Sequence, residues 1–304
     1  MAMPFTNWLW RAIIAHCNKA ATFFARLLGR LRQTTVDTTV ALSDRAFLIP
    51  DIIPYGEIYF QTKGHYVGTG ATSFVDRLES GHIIKYPKPN PYCSEKENLC
   101  RQQMEIEAEA YKRIGDSRHV PRLIHWDASA CSLVLEFLAK GDLQSYLQCH
   151  NQAVTAEQRR VWMKHAAEAV AVVHSATIIH CDVTPRNFLL NEALELHLSD
   201  FAGSSVAGSR PSITTSARFQ RPGWSWEPAY ADDLFALGSV LYYIQTGQEP
   251  HYDIPENEVR DLFQAAVFPD VSTLDYGSVI HKCWTGDFSN AQQIVDVLAI
   301  ANLY

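Results

Sequence analysis

Hydrophobic and polar positions alternate differently in the two halves of this chain. Between Tyr55 and Leu138 the apolar residues recur at every second position in short runs. This spacing is typical of β-strands, and it predicts five of them: HYVGT, SFVDRL, HIIKYP, RLIHWD and CSLVLEFL. One helix interrupts the strands, with Ser94 and Glu97 spaced as a capping box. Its predicted apolar stripe consists of Leu99, Gln103, Ile106, Ala110 and Ile114.

The spacing of apolar residues becomes helical after the sequence KGD. Thr155 and Gln158 can cap a long helix. The inner face of that helix would carry Trp162, Ala166, Ala169, Val170 and Val173. DDLFALGSVLYYIQTG predicts an apolar helix that ends at Gly247. Strands followed by helices predict an α+β fold of two lobes with a cleft between them: an antiparallel sheet with one helix over residues 55–138, then a helical lobe over 139–304.

The N-terminal segment differs in character from both lobes. Residues 1–32 contain five basic residues, and no acidic residue precedes Asp37. The spacing predicts an amphipathic helix over residues 7–31, with a basic polar face, followed by a linker over 33–54. Three interpretations stay open: an extra helix packed on the lobes, a helix bound to an anionic membrane surface, or a mitochondrial transit peptide.

Composition narrows the class of protein. The chain has 304 residues, 47% of them hydrophobic and 19% charged, which is typical of a packed globular protein. A formal net charge of −7 argues against nucleic acid as a partner, since nucleic-acid binding requires a basic surface. Seven cysteines without metal-like spacing favour a reducing compartment, so we expect an intracellular and cytoplasmic protein. A membrane-bound or mitochondrial location follows only from the alternative interpretations of the N-terminal segment.

Two features of the strand-rich half suggest phosphate binding. In VGTGATSFV, Gly68 and Gly70 would let backbone N–H groups approach phosphate oxygens, although such a turn is often only a hairpin. Lys85 interrupts the apolar run HIIKYP, and burying it requires a partner. Glu107 on the predicted helix is a candidate for that partner, although it could also be a solvated carboxylate.

Polar residues at the ends of apolar runs in the second half suggest a metal and a base. Asp182 and Asn187 lie between IIH and FLL, and Asp200 follows LHLS. Carboxylate and amide oxygens of this kind suit Mg²⁺, whose remaining positions phosphate can fill. A further aspartate can orient a hydroxyl group and accept its proton. Phosphoryl transfer uses these parts together.

The order of the glycine turn, strand lysine, helix glutamate, HCDVTPRN and SDFAG resembles the eukaryotic protein kinase domain over about residues 55–300. The chain is also similar to divergent kinase-domain proteins of filamentous fungi. The resemblance implies an ATP- and Mg²⁺-dependent transfer of the γ-phosphoryl group to a protein hydroxyl, with Thr-Pro after Val183 closer to the serine/threonine set than to the tyrosine set.

The resemblance also implies a role for individual residues. Asp182 would be the catalytic base, and Asn187 and Asp200 the metal ligands. Lys85 would contact the phosphates and pair with Glu107, with Glu105 and Glu109 as alternatives. Leu135 would be the gatekeeper and Asp233 the brace of the catalytic loop. The nucleotide would be contacted by Gly68, Thr69, Gly70, Ala71, Thr72, Ser73, Val75, Lys85, Glu136, Leu138 and Leu189.

Several positions depart from the family pattern. Cys181 replaces the arginine that reads a phosphate on the activation loop, Thr184 replaces a lysine, and Ile83 replaces a small residue over adenine. No Ala-Pro-Glu occurs between Gly203 and Asp233, and its arginine partner after KCW is also missing. Two alternatives therefore stay open: a pseudokinase that binds nucleotide or acts as a scaffold, and a kinase for a small molecule.

Overall fold

The computed structural model of the protein describes residues 31–34, 55 and 57–300. The helix expected over residues 7–31 and the linker expected over 33–54 therefore fall largely outside the described residues, and both stay predictions. Leu31–Thr34 forms strand β1, which pairs in parallel with β2 (Ile58–Gln61). Within the described residues, no helix is both long enough and apolar enough to cross a membrane.

An antiparallel sheet of five strands forms the first lobe, as the alternating pattern predicts. Its strands are β3 (His65–Thr69), β4 (Ser73–Arg77), β5 (Ile83–Pro87), β6 (Leu123–Asp127) and β7 (Ser132–Leu135), in the order β3-β4-β5-β7-β6. The turn between β4 and β5 needs a glycine, because Gly81 has a φ of +85° in the left-handed region. The central place of β5 puts Lys85 inside the sheet, paired with Val75 on one side and Leu133 on the other.

Helix α1 (Ser94–Ile114) is the single helix among the described residues of this lobe, and the stripe predicted for it is confirmed only in part. Ala110 is buried, and Ile106 and Ile114 pack against the core. Leu99, expected on the buried stripe, is 45% exposed. The buried residues are Cys100, Met104, Glu107, Ala108, Ala110 and Tyr111. The predicted cap is also wrong, because the N-cap is Cys93 and makes no side-chain cap hydrogen bond. The inward face contains a glutamate, so a purely hydrophobic criterion selects a neighbouring stripe.

The second lobe is helical. Its helices are α2 (Leu143–His150), α3 (Ala156–Ser175), α4 (Tyr230–Thr246), α5 (Glu256–Gln264), α6 (Gly277–Thr285) and α7 (Ala291–Ile300). The predicted cap of α3 is confirmed, because the Thr155 side chain accepts from the Gln158 N–H. All five residues predicted for its inner face are buried. Gly247 ends α4 in the left-handed conformation, as expected.

Short strands between α3 and α4 hold the polar loops. They are β8 (Ile178–Ile179), β9 (Phe188–Leu190), β10 (Leu196–Leu198) and β11 (Ser205–Val206). A 3₁₀ turn (Pro185–Asn187) comes directly before β9. β9 pairs with β10 and β8 pairs with β11, both antiparallel. Because these strands are largely buried, the loops between them are fixed at both ends.

Candidate active site

Lys85 joins the two lobes through two carboxylates. Its Nζ lies 2.7 Å from Glu107 Oε2 on α1 and 2.6 Å from Asp200 Oδ1 after β10. Glu107 is 1% exposed and Lys85 is 8% exposed. Of the three candidate glutamates, Glu107 is therefore the one that reaches the lysine, while Glu109 pairs with Arg113 on the surface of α1.

The surroundings of these three groups set their charge states. Burial by itself would lower the pKa of Lys85, but Asp200 and Glu107 together raise that pKa, so the ammonium stays charged. The Asp200 side chain is half exposed, and Lys85 lowers the pKa of its carboxyl. Burial raises the pKa of Glu107 to about 7, with Lys85 acting in the opposite direction. Asp200 is thus the firmly ionised partner of the lysine.

The loop between β8 and β9 brings Asp182 and Asn187 together. The Asn187 Nδ2 donates to the Asp182 carbonyl at 2.7 Å and to Asp182 Oδ2 at 2.9 Å. The Asn187 carbonyl accepts from the Ser199 N–H at 2.8 Å, next to Asp200. Since the amide nitrogen is used inside the loop, the side-chain oxygen of Asn187 is the atom left for a cation.

Asp233 on α4 braces this loop, as predicted. Its carboxylate accepts the backbone N–H groups of His180 at 2.7 Å and Cys181 at 2.9 Å. The loop needs such support because Cys181 has a φ of +66°, which is unfavourable for a residue with a Cβ. The carboxylate also accepts from His174 Nε2 at 3.0 Å. His174 was not predicted, because a histidine in the last turn of a helix is common and gives no distinguishing signal.

A row of aromatic rings connects this loop to α1. The Phe201 ring lies 5.1 Å from the His180 ring and 5.1 Å from the Tyr111 ring on α1. His180 Nε2 also lies 3.0 Å from the Ser199 carbonyl. Phe201 is fully buried, so this contact helps to hold α1, and with it Glu107, against the loop that contains Asp200.

The glycine turn is closed by short-range hydrogen bonds. The Gly70 N–H and the Thr69 hydroxyl both donate to the Ser73 carbonyl, at 2.9 and 3.2 Å. Lys88 Nζ donates to the Gly70 carbonyl at 2.6 Å, which the sequence did not predict. A Cβ at Gly68 would meet no atom within 4 Å, so protein packing does not require that glycine, and close approach by a ligand would explain it. Ala71 and Thr72 form the tip between β3 and β4.

The residues expected around adenine line the junction between the lobes. Leu135 is buried at the end of β7, opposite Ile83, and Leu138 is buried just beyond it. The Glu136 N–H donates to the Arg122 carbonyl at 3.0 Å. The main-chain group of Glu136 that could still bind a ligand is therefore its carbonyl. Val75 lies directly opposite Lys85. Leu189 lies on β9, two residues after Asn187.

Two arginines anchor the segment before α4, where the Ala-Pro-Glu motif is missing. Arg218 Nη2 donates to the carbonyls of His251 and Ile254, and its Nε lies 3.6 Å from Glu249. Arg221 Nε lies 2.7 Å from Asp232 Oδ1 on α4. These ion pairs stand in place of the missing one with the charges exchanged: the segment supplies the arginines, and α4 and the connection after it supply the carboxylates.

Comparison with known proteins agrees with this geometry. The sequence model of the protein kinase domain matches residues 63–294, which is most of the chain. The chain belongs to the protein kinase family. Its α+β fold, with a sheet lobe followed by a helical lobe, is the fold that the sequence predicted.

Curated relatives within the protein kinase family resemble the chain at modest identity. It is 26% identical over 235 residues to the serine/threonine-protein kinase GD17699 of Drosophila simulans, covering 71% of this chain and 31% of that protein. It is 30% identical over 186 residues to the human serine/threonine-protein kinase ULK3, covering 57% and 39%. It is 28% identical over 180 residues to the human phosphorylase b kinase gamma catalytic chain, liver/testis isoform, covering 51% and 43%. The chain thus spans less than half the length of these relatives.

Proposed function

We propose that this kinase-family protein transfers the γ-phosphoryl group of ATP to a serine or threonine hydroxyl of a protein. The observation that carries the proposal is the position of Lys85, which contacts Glu107 at 2.7 Å and Asp200 at 2.6 Å in one arrangement. The names of the relatives support the serine/threonine class. Their greater length leaves the protein substrate to experiment.

Hard oxygen atoms support a magnesium site at Asn187 and Asp200. Mg²⁺ binds proteins through one or two carboxylates and completes its coordination with water and phosphate oxygens. The half-exposed Asp200 carboxylate and the Asn187 side-chain oxygen fit that pattern. When bound, the metal would neutralise charge that develops on the phosphates. Lys85 would then hold the α- and β-phosphates, and the backbone of residues 68–73 would cover them.

Asp182 is the residue proposed to accept the hydroxyl proton of the substrate. Two hydrogen bonds donated by the Asn187 side chain, one to the Asp182 carbonyl and one to the Asp182 carboxylate, fix the orientation of Asp182. The substrate hydroxyl oxygen bonds to the γ-phosphorus while the bond between that phosphorus and the leaving ADP oxygen breaks. Asp182 accepts the proton that the substrate hydroxyl loses. Asp233 keeps this loop in place through its bonds to the His180 and Cys181 backbone.

A pseudokinase is the second candidate function. The observation in its favour is that Cys181 and Thr184 remove two positive charges that the family pattern places in the catalytic loop. A kinase for a small molecule is the third candidate, since the segment that shapes a protein-substrate platform lacks the usual motif.

The test is transfer of label from γ-labelled ATP to a generic protein substrate. Asp182→Asn should lose transfer but keep a Mg²⁺-dependent rise in melting temperature with ATP, because binding to the native state stabilises it. Asp200→Asn should lose the Mg²⁺-dependent part of that rise. Asp116→Asn, at an exposed position, is the matched control. Nucleotide binding without transfer by the unmodified protein would favour the pseudokinase, and absence of any Mg²⁺-dependent shift would favour a scaffold.

A further inference from the structure

The residues just before the kinase-domain match pack on the sheet lobe. We call Tyr55 and residues 57–63 the N-terminal strap. Only Lys63 of this strap lies inside the matched residues 63–294. The strap contains β2, which pairs with β1. Family membership therefore assigns no role to most of the strap.

The strap contacts the hairpin that carries the glycine turn. The Phe60 ring stacks on Phe74 of β4 with centroids 4.1 Å apart and planes 13° apart. The Lys63 N–H donates to Asp76 Oδ2 at 2.7 Å, the same atom that accepts from the Tyr86 hydroxyl at 2.7 Å. Asp76 is fully buried on β4, so losing a donor there is costly. The strap thus stabilises the conformation of β4.

A lysine extends this contact to the glycine turn itself. Lys88 Nζ lies 5.5 Å from the centre of the Phe74 ring, the ring on which Phe60 stacks. The same ammonium donates to the Gly70 carbonyl at 2.6 Å. Phe60, Phe74, Lys88 and Gly70 therefore form one continuous series of contacts.

The strap also contacts Tyr92, in the loop just before α1. The Tyr92 hydroxyl donates to the Glu57 carbonyl at 3.1 Å, and the Tyr55 and Tyr92 rings lie 5.2 Å apart. Tyr92 lies two residues before Ser94, the first residue of α1. That helix contains Glu107, the partner of Lys85.

We infer that the N-terminal strap positions both the glycine turn and the start of α1, and so sets the affinity of the cleft for Mg-ATP. Phe60 and Tyr92 act as positioning residues, because they contact the elements that would hold the nucleotide rather than the nucleotide itself. The inference rests on the proposed function only in naming the nucleotide. The mechanical part, that the strap restrains two elements, stands on the contacts above.

The experiment compares the full-length variants Phe60→Ala and Phe60→Leu with the control variant Gln61→Ala. Gln61 is the next residue along β2, and its side chain is exposed. Hydrogen exchange without nucleotide should be faster in Phe60→Ala over residues 66–75 and 93–104, intermediate in Phe60→Leu, and unchanged in the control. The KM for ATP, or the Kd for Mg-ATP if transfer is absent, should rise roughly threefold to tenfold, since an aromatic pair contributes on that scale. The kcat should stay near the unmodified value.

Each result decides the inference. Equal exchange in Phe60→Ala and Gln61→Ala would overturn the strap whether or not the protein transfers phosphate. Faster exchange with unchanged ATP affinity would overturn its link to the nucleotide. Faster exchange in a protein that binds no ATP would leave the strap intact and refute the proposed function instead. If Phe60→Ala does not fold, Tyr92→Phe removes a single hydroxyl, and unchanged exchange in the first turn of α1 would then overturn the inference.

Discussion

Replacing Glu107 by glutamine tests the site most directly. Glutamine keeps the shape of the side chain but removes the charge that pairs with Lys85. The matched change is Glu109→Gln on the same helix, which breaks only the exposed pair with Arg113. Exposed pairs contribute about 0–1 kcal/mol, so Glu109→Gln should leave both stability and activity nearly unchanged.

The geometry gives the size of the effect. At 2.7 Å and an effective dielectric constant of about 20, the attraction between Lys85 and the ionised Glu107 carboxylate is about 6 kcal/mol before desolvation. Because the pKa of Glu107 is about 7, the variants are compared above that pH, where the carboxylate is ionised. Removing one partner of a buried pair costs about 3–5 kcal/mol when the other charge is left unpaired. Lys85 keeps Asp200 at 2.6 Å, so we expect a smaller loss of unfolding free energy, on the order of 1 kcal/mol.

The loss of activity should be much larger than the loss of stability. With Glu107 neutral, Lys85 pairs with Asp200 alone, and Asp200 is the proposed metal ligand. We expect kcat/KM for ATP to fall by roughly 100- to 1,000-fold, which corresponds to about 3–4 kcal/mol. Steady-state kinetics and thermal melting of both variants measure the two effects. Activity of Glu107→Gln within about twofold of Glu109→Gln would refute this account of the Lys85 site.

Three further predictions concern control, acid stability and the N-terminal segment. Phosphatase treatment should not reduce activity, provided that Cys181 stays reduced, because a cysteine in this position cannot pair with phosphate. The nearby arginines are also engaged already, Arg218 with Glu249 and Arg221 with Asp232. Loss of activity after the treatment would contradict this prediction. Burial, followed by Arg118, lowers the pKa of His119 from 6.5 to about 4, so the unfolded chain binds the proton first as the pH falls. The contribution of His119 to the unfolding free energy should therefore fall by about 3 kcal/mol between pH 6.5 and 4, and His119→Asn should flatten the pH dependence of melting by that amount; an unchanged slope would refute it. If the N-terminal segment is a helix bound to an anionic membrane surface, one of its three interpretations, full-length protein should co-sediment with anionic liposomes, less so as salt rises, whereas protein lacking residues 1–33 should not; equal sedimentation excludes the membrane role.

The catalytic parts were predictable because each lies in a short segment with its own signal. The turn around Gly68 and Gly70, the lysine inside an apolar strand and the loop from Asp182 to Asn187 are all visible locally. Their order along the chain supplies the long-range information, since it matches one family. The structure places Lys85, Glu107 and Asp200 in direct contact, as that order implies.

The buried face of α1 was only partly predictable from hydrophobicity, which finds Ile106, Ala110 and Ile114 but not Glu107. Its inward face includes Glu107, which is stable there because Lys85, on a different element, neutralises it. Hydrophobic periodicity disfavours a charged residue on the buried face, and it therefore favours the stripe that includes Leu99, which is exposed. The correct choice requires the lysine and the helix to be considered together.

The anchors of the segment before α4 were also outside the reach of sequence reasoning. Arg218 contacts Glu249 and two backbone carbonyls, His251 and Ile254, all on the connection after α4. Carbonyl acceptors leave no trace in the sequence, because every residue has one. The usual glutamate and arginine are absent from the sequence, although a different set of bonds holds the segment.

These contacts limit where the activity of the protein can be controlled. Arg218 and Arg221 already hold the segment before α4, and the Gln103 side chain donates to the Ser212 hydroxyl at 2.9 Å, so α1 contacts the same segment without phosphate. Burial raises the pKa of the Cys181 thiol to about 12, which disfavours the reactive thiolate form at the position of the family's arginine. The N-terminal strap is linked to the glycine turn through Phe74 and Lys88, and to the start of α1 through Tyr92. Binding at β1, which pairs with β2 of the strap, would reach the nucleotide site through these contacts, without any change in the activation segment.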